Sequence, residues 1–551
     1  MQQDRERLPM VGWFDPPQLV RTALEVMVST ALGRHSDRRL IEALTTAEPL
    51  EPFDCEAQMD LPAGEFWVDY ISDTGDGWDS TYAVAATAAL PTLDLADSHA
   101  RTHTTARGNV LILGGDQVYP IAARHEYQRR FVAPFAAAFP DRRPPLRKRP
   151  KMFAVPGNHD WYDSLASFTR LFCQNRNIGG WHAPQRRSYF AVKLPSGWWL
   201  LGTDVQLAAD IDQPQVDFFR RVADRFQSGD RVILCNADPH WINAAIYGGH
   251  DPEYNENNLR FLETQVLKGR VAVFLAGDLH HYRRHEGPKK VQKITAGGGG
   301  AFLHPTHPDD AVRVLKEHDE RGREFVLKQS FPTIQESKRL TWGNLAFLFH
   351  NPSFGLLTAV LYVFISGSVG AFADGWDLFT RIVTTPLASI VVSFALLGYV
   401  LFTDTHDTRY KVIGGALHGA ANITASFVVS WWVRELIPDM REPLDTLLVA
   451  LFTFLGGWVV GPTIMGLYLL ISLNVFGRHA NEAFSALAIP HFKNFLRLRI
   501  ASDGTLTIFP IGLRQVPRKW KDNPDRSGPE LVSDDPSATP PQLIEDPIVL
   551  R

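Results

Sequence analysis

Four short stretches in the first half of the chain concentrate side chains that bind metal ions. They are Asp73-Thr-Gly-Asp76, Gly115-Asp116-Gln-Val-Tyr119, Gly157-Asn158-His159-Asp160 and Gly277-Asp278-Leu-His280. A fifth loop, Asn236-Ala-Asp238-Pro-His240, carries the same residue types. Carboxylate, amide and phenol oxygens are hard ligands and imidazole is borderline, so the set suits divalent or trivalent cations. A pair of such ions would neutralise charge on a phosphoryl group and acidify water, so the chemistry on offer is hydrolysis.

Each loop begins where a short apolar run stops. The run 66–72 leads into Asp73, 109–114 into Asp116, 152–156 into Asn158 and His159, 231–235 into the 236–240 loop, and 271–276 into Asp278 and His280. Mostly apolar runs of this length read as strands of a sheet covered on both faces. Strand ends are where an α/β fold presents loops to a ligand. A single Asp after a strand carries little information, because Asn and Asp favour turns by themselves. Five such loops in one segment argue for a shared site.

With Gly-Asp followed by Gly-Asn-His-Asp in this order, the segment from Phe66 to Thr306 resembles the calcineurin-like metallophosphoesterases. The resemblance implies a four-layer αββα sandwich with a dinuclear metal centre at the strand ends. It implies that Asp73 binds the first metal, Asp116 bridges both, Asn158 binds the second and His280 returns to the first. His159 would then stabilise or protonate the leaving oxygen, held by Asp160.

Three positions depart from that pattern. Gly75 stands where the family usually has a ligand His. The purple acid phosphatase branch also has Gly there and supplies a Tyr three residues after the bridging Asp, the spacing of Tyr119; such a ligand favours iron. The other reading of Tyr119 is a packing residue ahead of Pro120. Asp278 replaces an imidazole with a hard oxygen, which moves the preference from Zn toward Mn or Fe. Ala237 stands at the usual place of a third His, so His240 is expected to take over, with Asn236 and Asp238 as alternatives. His281 and His304 are candidate substrate contacts. The run Gly297–Gly300 is either an amide cradle for phosphate or a flexible turn, and it lacks the lysine of a Walker loop.

The elements that position these loops occupy about 61–335, after an N-terminal helical segment, 1–60, with an amphipathic stretch at Pro17–Leu44. The mean hydropathy of −0.12 averages two unlike halves. Within 340–477 the runs 354–373, 382–403 and 412–433 lack Asp, Glu, Lys and Arg, as does 446–477. Each is long enough to cross ~30 Å of hydrocarbon. The last is either one kinked helix, through Gly461-Pro462, or two segments. Basic residues at Lys338, Arg339, Arg409, Lys411, Arg478, Lys493, Arg497 and Arg499, against Arg381, Arg434 and Arg441 on the other connections, favour four spans with both termini inside over five. His418 and Asn422, four apart, are expected to bond a neighbouring helix rather than to form an ion path. In 478–522, the runs 494–500 and 506–511 around Asp503-Gly504 read as a β-hairpin that adds to the soluble domain. The Pro-, Asp- and Ser-rich tail 523–551 reads as disordered.

A net charge of −4 excludes general nucleic-acid binding. Three widely spaced cysteines give no disulfide framework. The N-terminus lacks a secretory core, so the front half is expected in the cytoplasm, on a plasma or inner membrane. The basic cluster Arg142–Lys151 is read as a solvated loop. The sum is a membrane-anchored phosphoesterase using two Mn, Fe or Zn ions on a monoester or diester, a lipid-linked phosphate among the candidates. The alternative is a metal-binding sensor or scaffold coupled to the membrane half without turnover.

Overall fold

The computed structural model describes residues 7–21, 50–61, 64–140, 144–205, 211–247, 257–308, 313–317, 322–369, 382, 384–403, 405, 407–437, 443–525 and 528–551. They divide into two compact units. One draws on 1–11, 22–336 and 488–551, the other on 12–21 and 337–487. Most of the predicted helix Pro17–Leu44 lies outside the described residues.

The first unit is mixed α/β. Its site-bearing strands are β1 (Phe66–Ile71), β2 (Val110–Leu113), β3 (Lys151–Ala154), β4 (Arg231–Cys235) and β5 (Val271–Ala276). They are followed by β6 (Tyr282–Glu286), β7 (Gln292–Ala296), β8 (Lys493–Ile500) and β9 (Leu506–Leu513). Among the described residues there are two nine-stranded sheets. In one, β9, β8, β1, β2 and β3 are successive neighbours; in the other, β4, β5, β7 and β6 are. The strands that lead into the candidate loops run parallel, β1 with β2, β2 with β3, and β4 with β5. Parallel neighbours end at the same edge, so their loops can meet.

Strand alternation sorts the side chains. Val68, Tyr70, Val110, Ile112, Leu496 and Leu498 share one core with Ile233, Val273, Leu275 and Ile294 of the other sheet. Trp67, Ile71, Leu111, Leu113 and Phe495 turn the other way, onto helix α1 (Trp78–Ala89). Val232, Leu234 and Phe274 pack on α2 (Gln213–Ala223).

The hairpin after the apolar half pairs β8 with β1 in antiparallel register, Arg497 opposite Asp69. The tail does not follow its disordered reading. Leu531–Ser533 pairs with Trp520–Asp522, while Gln542–Leu543 and Ile548–Leu550 both pair with β9. The Tyr82 hydroxyl donates to the Leu531 carbonyl and accepts from its N–H, each at 2.8 Å. Low overall hydrophobicity suggested disorder, but a few buried anchors, Leu531, Ile548 and Leu550, suffice to dock it.

The second unit is helical. After the short α3 (His240–Tyr247) of the first unit come α4 (Phe354–Val369), α5 (Pro386–Phe402), α6 (Thr408–Leu436) and α7 (Leu444–Phe476). Among the described residues, α6 and α7 are long and apolar enough to cross a membrane. A third span exists if the bent pair Ile334–His350 and Phe354–Ser368 is counted as one. At 17 residues, α5 is shorter. The four-span expectation therefore stands as two to three by length, and residues 370–373 and 383 of the expected spans lie outside the described set. The long run 446–477 is one continuous helix with Pro462 inside it.

This unit is apolar on the outside. On α6, Gly415, His418, Gly419, Asn422, Ser426 and Ser430 are buried, while Ile413, Leu417, Trp432 and Leu436 are exposed. Small and polar groups inside, with large apolar groups outside, suit a lipid surround. Asn422 serves as interhelical glue. It accepts from Tyr362 on α4 at 3.2 Å and donates to the His418 carbonyl at 3.1 Å.

Candidate metal centre

Three of the candidate ligands share one backbone device. Asp73, Asp116 and Asp278, each just past a strand end, have left-handed backbones with φ of 59°, 47° and 64°. Non-glycine residues rarely hold this conformation, and it clusters at functional sites. Gly75, also left-handed at φ +63°, explains the missing His: a Cβ there would lie 2.2 Å from the Gln117 carbonyl oxygen. No side chain fits at that place.

The loops from both sheets converge on Tyr119. Its Oη lies 3.2 Å from Asp73 Oδ1, 3.1 Å from Asp116 Oδ2 and 2.9 Å from His280 Nε2. All four residues are buried. His280 Nδ1 is 2.8 Å from the Phe302 carbonyl, which can only accept, so the ring proton sits on Nδ1. Nε2 therefore turns a lone pair toward Asp73, 3.8 Å away, and Tyr119. The Asp278 N–H donates to both Asp73 oxygens, at 3.1 and 3.0 Å, and this fixes the carboxylate from beneath.

Electrostatics follow from crowding buried acids. Burial, then the charges of Asp116 and Asp278, hold the Asp73 carboxyl well above the usual range. Asp278 is raised by burial, Asp238 and Asp116. Burial pushes Asp116 up to about 7, with Asp238 adding to it and the His159 N–H opposing. Asp238, offered only as an alternative by sequence, is thus the member of the 236–240 loop whose charge reaches this cluster. Its signal was the carboxylate itself, the one charged group among the three candidates.

His159 and Asp160 differ from expectation. His159 Nδ1 is 2.9 Å from the Pro120 carbonyl, so that carbonyl, and not Asp160, orients the ring. Asp160 accepts the Gly157 N–H at 2.9 Å, the Gln117 N–H at 3.4 Å and the Tyr127 hydroxyl, and so shapes the loop. A buried carboxylate collects the nearest donors, and here those are a tyrosine hydroxyl and two backbone amides. The His159 N–H donates to Asp116 Oδ1 at 2.9 Å and to Asn158 Oδ1 at 3.0 Å, tying the second and third loops together. Burial pushes the His159 ring down to about 4.

His240 opens α3, and its Nε2 is buried without a hydrogen-bond partner among the described residues. Asn236 Oδ1 is engaged by Thr203 Oγ1 at 2.8 Å. His304 stacks on His280 with ring centroids 3.9 Å apart. His281, a candidate substrate contact by sequence, is 1% exposed. Gly297–Gly300 is neither an open cradle nor a loose turn. A Cβ on Gly297 would lie 2.6 Å from Asp73 Oδ2, and the Gly299 N–H donates to the Ser72 carbonyl at 2.8 Å. Asp76, the second acid of the first motif, gained no role from sequence. It is fully buried and accepts Val11 N–H at 2.7 Å and Phe302 N–H at 3.0 Å.

Among the described residues, no group of three or more His, Cys, Asp and Glu side chains is arranged to hold a metal ion. The Tyr119 oxygen takes up the middle of the cluster. The donor set nevertheless fits a cation. Two carboxylates, a phenol oxygen and an oriented imidazole lone pair meet in a buried space, with two further acids within electrostatic reach.

No protein-family model and no curated protein matches this chain. Among solved structures the chain is similar to GAP50, the anchor in the inner membrane complex of Plasmodium. Identity there is 10% and the TM-score 0.32, over 48% of this chain and 78% of that one. It is also similar to PhoD, at 11% identity and a TM-score of 0.27, over 44% of this chain and 59% of that one. Likeness this distant carries no functional argument, and the site's own geometry has to supply it.

Proposed function

We propose that the chain is a membrane-anchored, metal-dependent phosphoesterase of the calcineurin-like kind, its first unit an αββα four-layer sandwich. The observation that carries this reading is the meeting of Asp73, Asp116, Tyr119 and His280 around one oxygen, with His159 tied to Asp116 beside it. Asp73, Tyr119, His280 and the bridging Asp116 would hold one ion; Asp116, Asn158, Asp278 and the 236–240 loop, through His240 or Asp238, would serve a second. Hard oxygen donors favour Mn or Fe over Zn. When bound, the ions would supply Lewis acidity toward a phosphoryl group and toward water.

The chain's own residues set the rest. His159, with its proton on Nδ1 and burial keeping it neutral, presents an Nε2 lone pair. It can move a proton at the leaving oxygen once a phosphate anion beside it raises its basicity. The Pro120 carbonyl fixes that orientation. His281 and His304 are the candidate substrate contacts, the second by its position on His280. A phosphomonoester or phosphodiester fits this site, and the membrane tether suits a lipid-linked one.

The membrane unit is proposed to cross four times, through α4 to α7. Strand β8, after that unit, is hydrogen-bonded to β1, before it. If the unit crosses a membrane, this pairing puts both flanks on one side and so supports an even number of crossings. The basic-residue count loses weight here, because Lys493 and Arg497 are buried in the sheet. Lys338, Arg339, Arg409, Lys411 and Arg478 still favour the cytoplasmic face.

The test is elemental analysis of the detergent-purified full chain beside Asp116→Asn, with hydrolysis of an aryl phosphate under Mn²⁺ or Fe²⁺. About two ions per chain are expected, fewer in Asp116→Asn, with hydrolysis lost in both Asp116→Asn and His159→Ala. Hydrolysis retained in both variants would refute the reading. Bound metal without turnover would favour the sensor alternative.

A further inference from the structure

The segment 297–302 is clamped between the first ligand loop and the strand that follows the membrane unit. On one side the Gly299 N–H donates to the Ser72 carbonyl at 2.8 Å and the Ala301 N–H to the Asp73 carbonyl at 2.9 Å. The Phe302 N–H reaches Asp76 at 3.0 Å, and Ser80 Oγ donates to the Gly300 carbonyl at 2.5 Å. On the other side the Asn494 N–H donates to the Gly298 carbonyl at 2.9 Å, and Lys493 Nζ donates to the Ala301 carbonyl. The Phe302 carbonyl, next along, is the acceptor that fixes the His280 ring.

Lys493 is 0% exposed, and a fully buried lysine is rare unless its charge or its hydrogen bonds are used. We infer that Lys493 is a positioning residue of the metal site, holding the Ala301–Phe302 turn so that His280 and Asp73 keep their ligand orientations. The inference rests on the phosphoesterase reading of that site. It makes the segment C-terminal to the membrane unit part of the site's support as well as of the sheet. Burial pushes the Lys493 ammonium down to about 7, and the charges of Asp76 and Asp73 oppose that shift. Without the ammonium, the buried Ala301 carbonyl loses its donor. The turn can then relax at the residue that sets the His280 tautomer.

The experiment is a Mn²⁺ titration of the full chain in detergent, read by a competing chelator dye and by elemental analysis, with thermal unfolding alongside. Lys493→Met is expected to weaken one of the two sites by about 10- to 100-fold, the scale for groups that orient a metal's ligands, and to leave the other unchanged. Lys493→Arg, which keeps charge and donor, is expected to bind near wild-type affinity. Wild-type affinity in Lys493→Met, or equal weakening at both sites, overturns the inference. If Lys493→Met does not fold, Lys493→Gln, whose amide is too short to reach, replaces it under the same criteria. A wild-type chain that takes up no metal defeats the phosphoesterase reading itself, a result distinct from those for the Lys493 variants.

Discussion

Arg497 offers a sharp test of how the strand after the membrane unit is locked into the site-bearing sheet. Its guanidinium is 0% exposed and faces Asp69, 3% exposed, directly across the β8–β1 pairing. Nε lies 2.7 Å from Asp69 Oδ1 and one terminal nitrogen 3.0 Å from Oδ2, and that nitrogen also donates to the Ala88 carbonyl at 2.8 Å. Arg497→Met strands a buried carboxylate that, among the described residues, keeps only the Gly108 N–H, at 2.9 Å. Breaking one partner of a buried pair typically costs about 3–5 kcal/mol. For a unit of this size that is a fall in the unfolding midpoint of roughly 4–6 °C. Adding Asp69→Asn removes the stranded charge yet leaves an oxygen for Gly108, so the double variant should recover most of the loss. The assay is thermal unfolding of the purified full chain by tryptophan fluorescence, with Trp67 on the adjoining register. A loss in Arg497→Met of less than about 1 kcal/mol, the scale of an exposed pair, would refute the argument. So would simple additivity of the two substitutions, which would show no coupling.

Three further outcomes follow. Because burial and mutual repulsion raise Asp73, Asp116 and Asp278 in the metal-free site, with Asp116 near 7, metal must displace protons. Mn²⁺ affinity should fall as pH drops below about 7, by roughly tenfold per unit for each proton displaced; calorimetry in two buffers of different ionisation heat that shows no proton release would contradict this. Gly75→His, which introduces the residue usual in the enzymes that the sequence resembles, should lose metal and stability instead of gaining a ligand, because its Cβ would meet the Gln117 carbonyl; unchanged or tighter binding would count against the observed backbone. Single cysteines introduced at exposed sites before residue 337 and after residue 488 should label from the same membrane face, since β1 and β8 share one sheet; labelling from opposite faces would rule out an even number of crossings.

The sequence by itself located the strand-end loops that carry the candidate residues. Apolar runs of strand length ending in Asp, Asn or His are local patterns, and β1, β2, β3, β4 and β5 stand where those runs stand. It also separated the mixed α/β part from the apolar helices, because solvent preference is written in composition. Tertiary structure decided which side chains meet. The Tyr119 hydroxyl sits among Asp73, Asp116 and His280, the last of them 161 residues away in sequence. His159 takes its orientation from the Pro120 backbone carbonyl, a group that every residue carries and no motif marks. Asp69 and Arg497 pair across 428 residues. The tail shows the same limit, since its composition argued for disorder while three buried side chains hold it to β9 and Tyr82. Periodicity and turn chemistry act over a few residues and can be read along the chain. Hydrogen-bond partners, buried charge pairs and docking anchors depend on distances that exist only after folding.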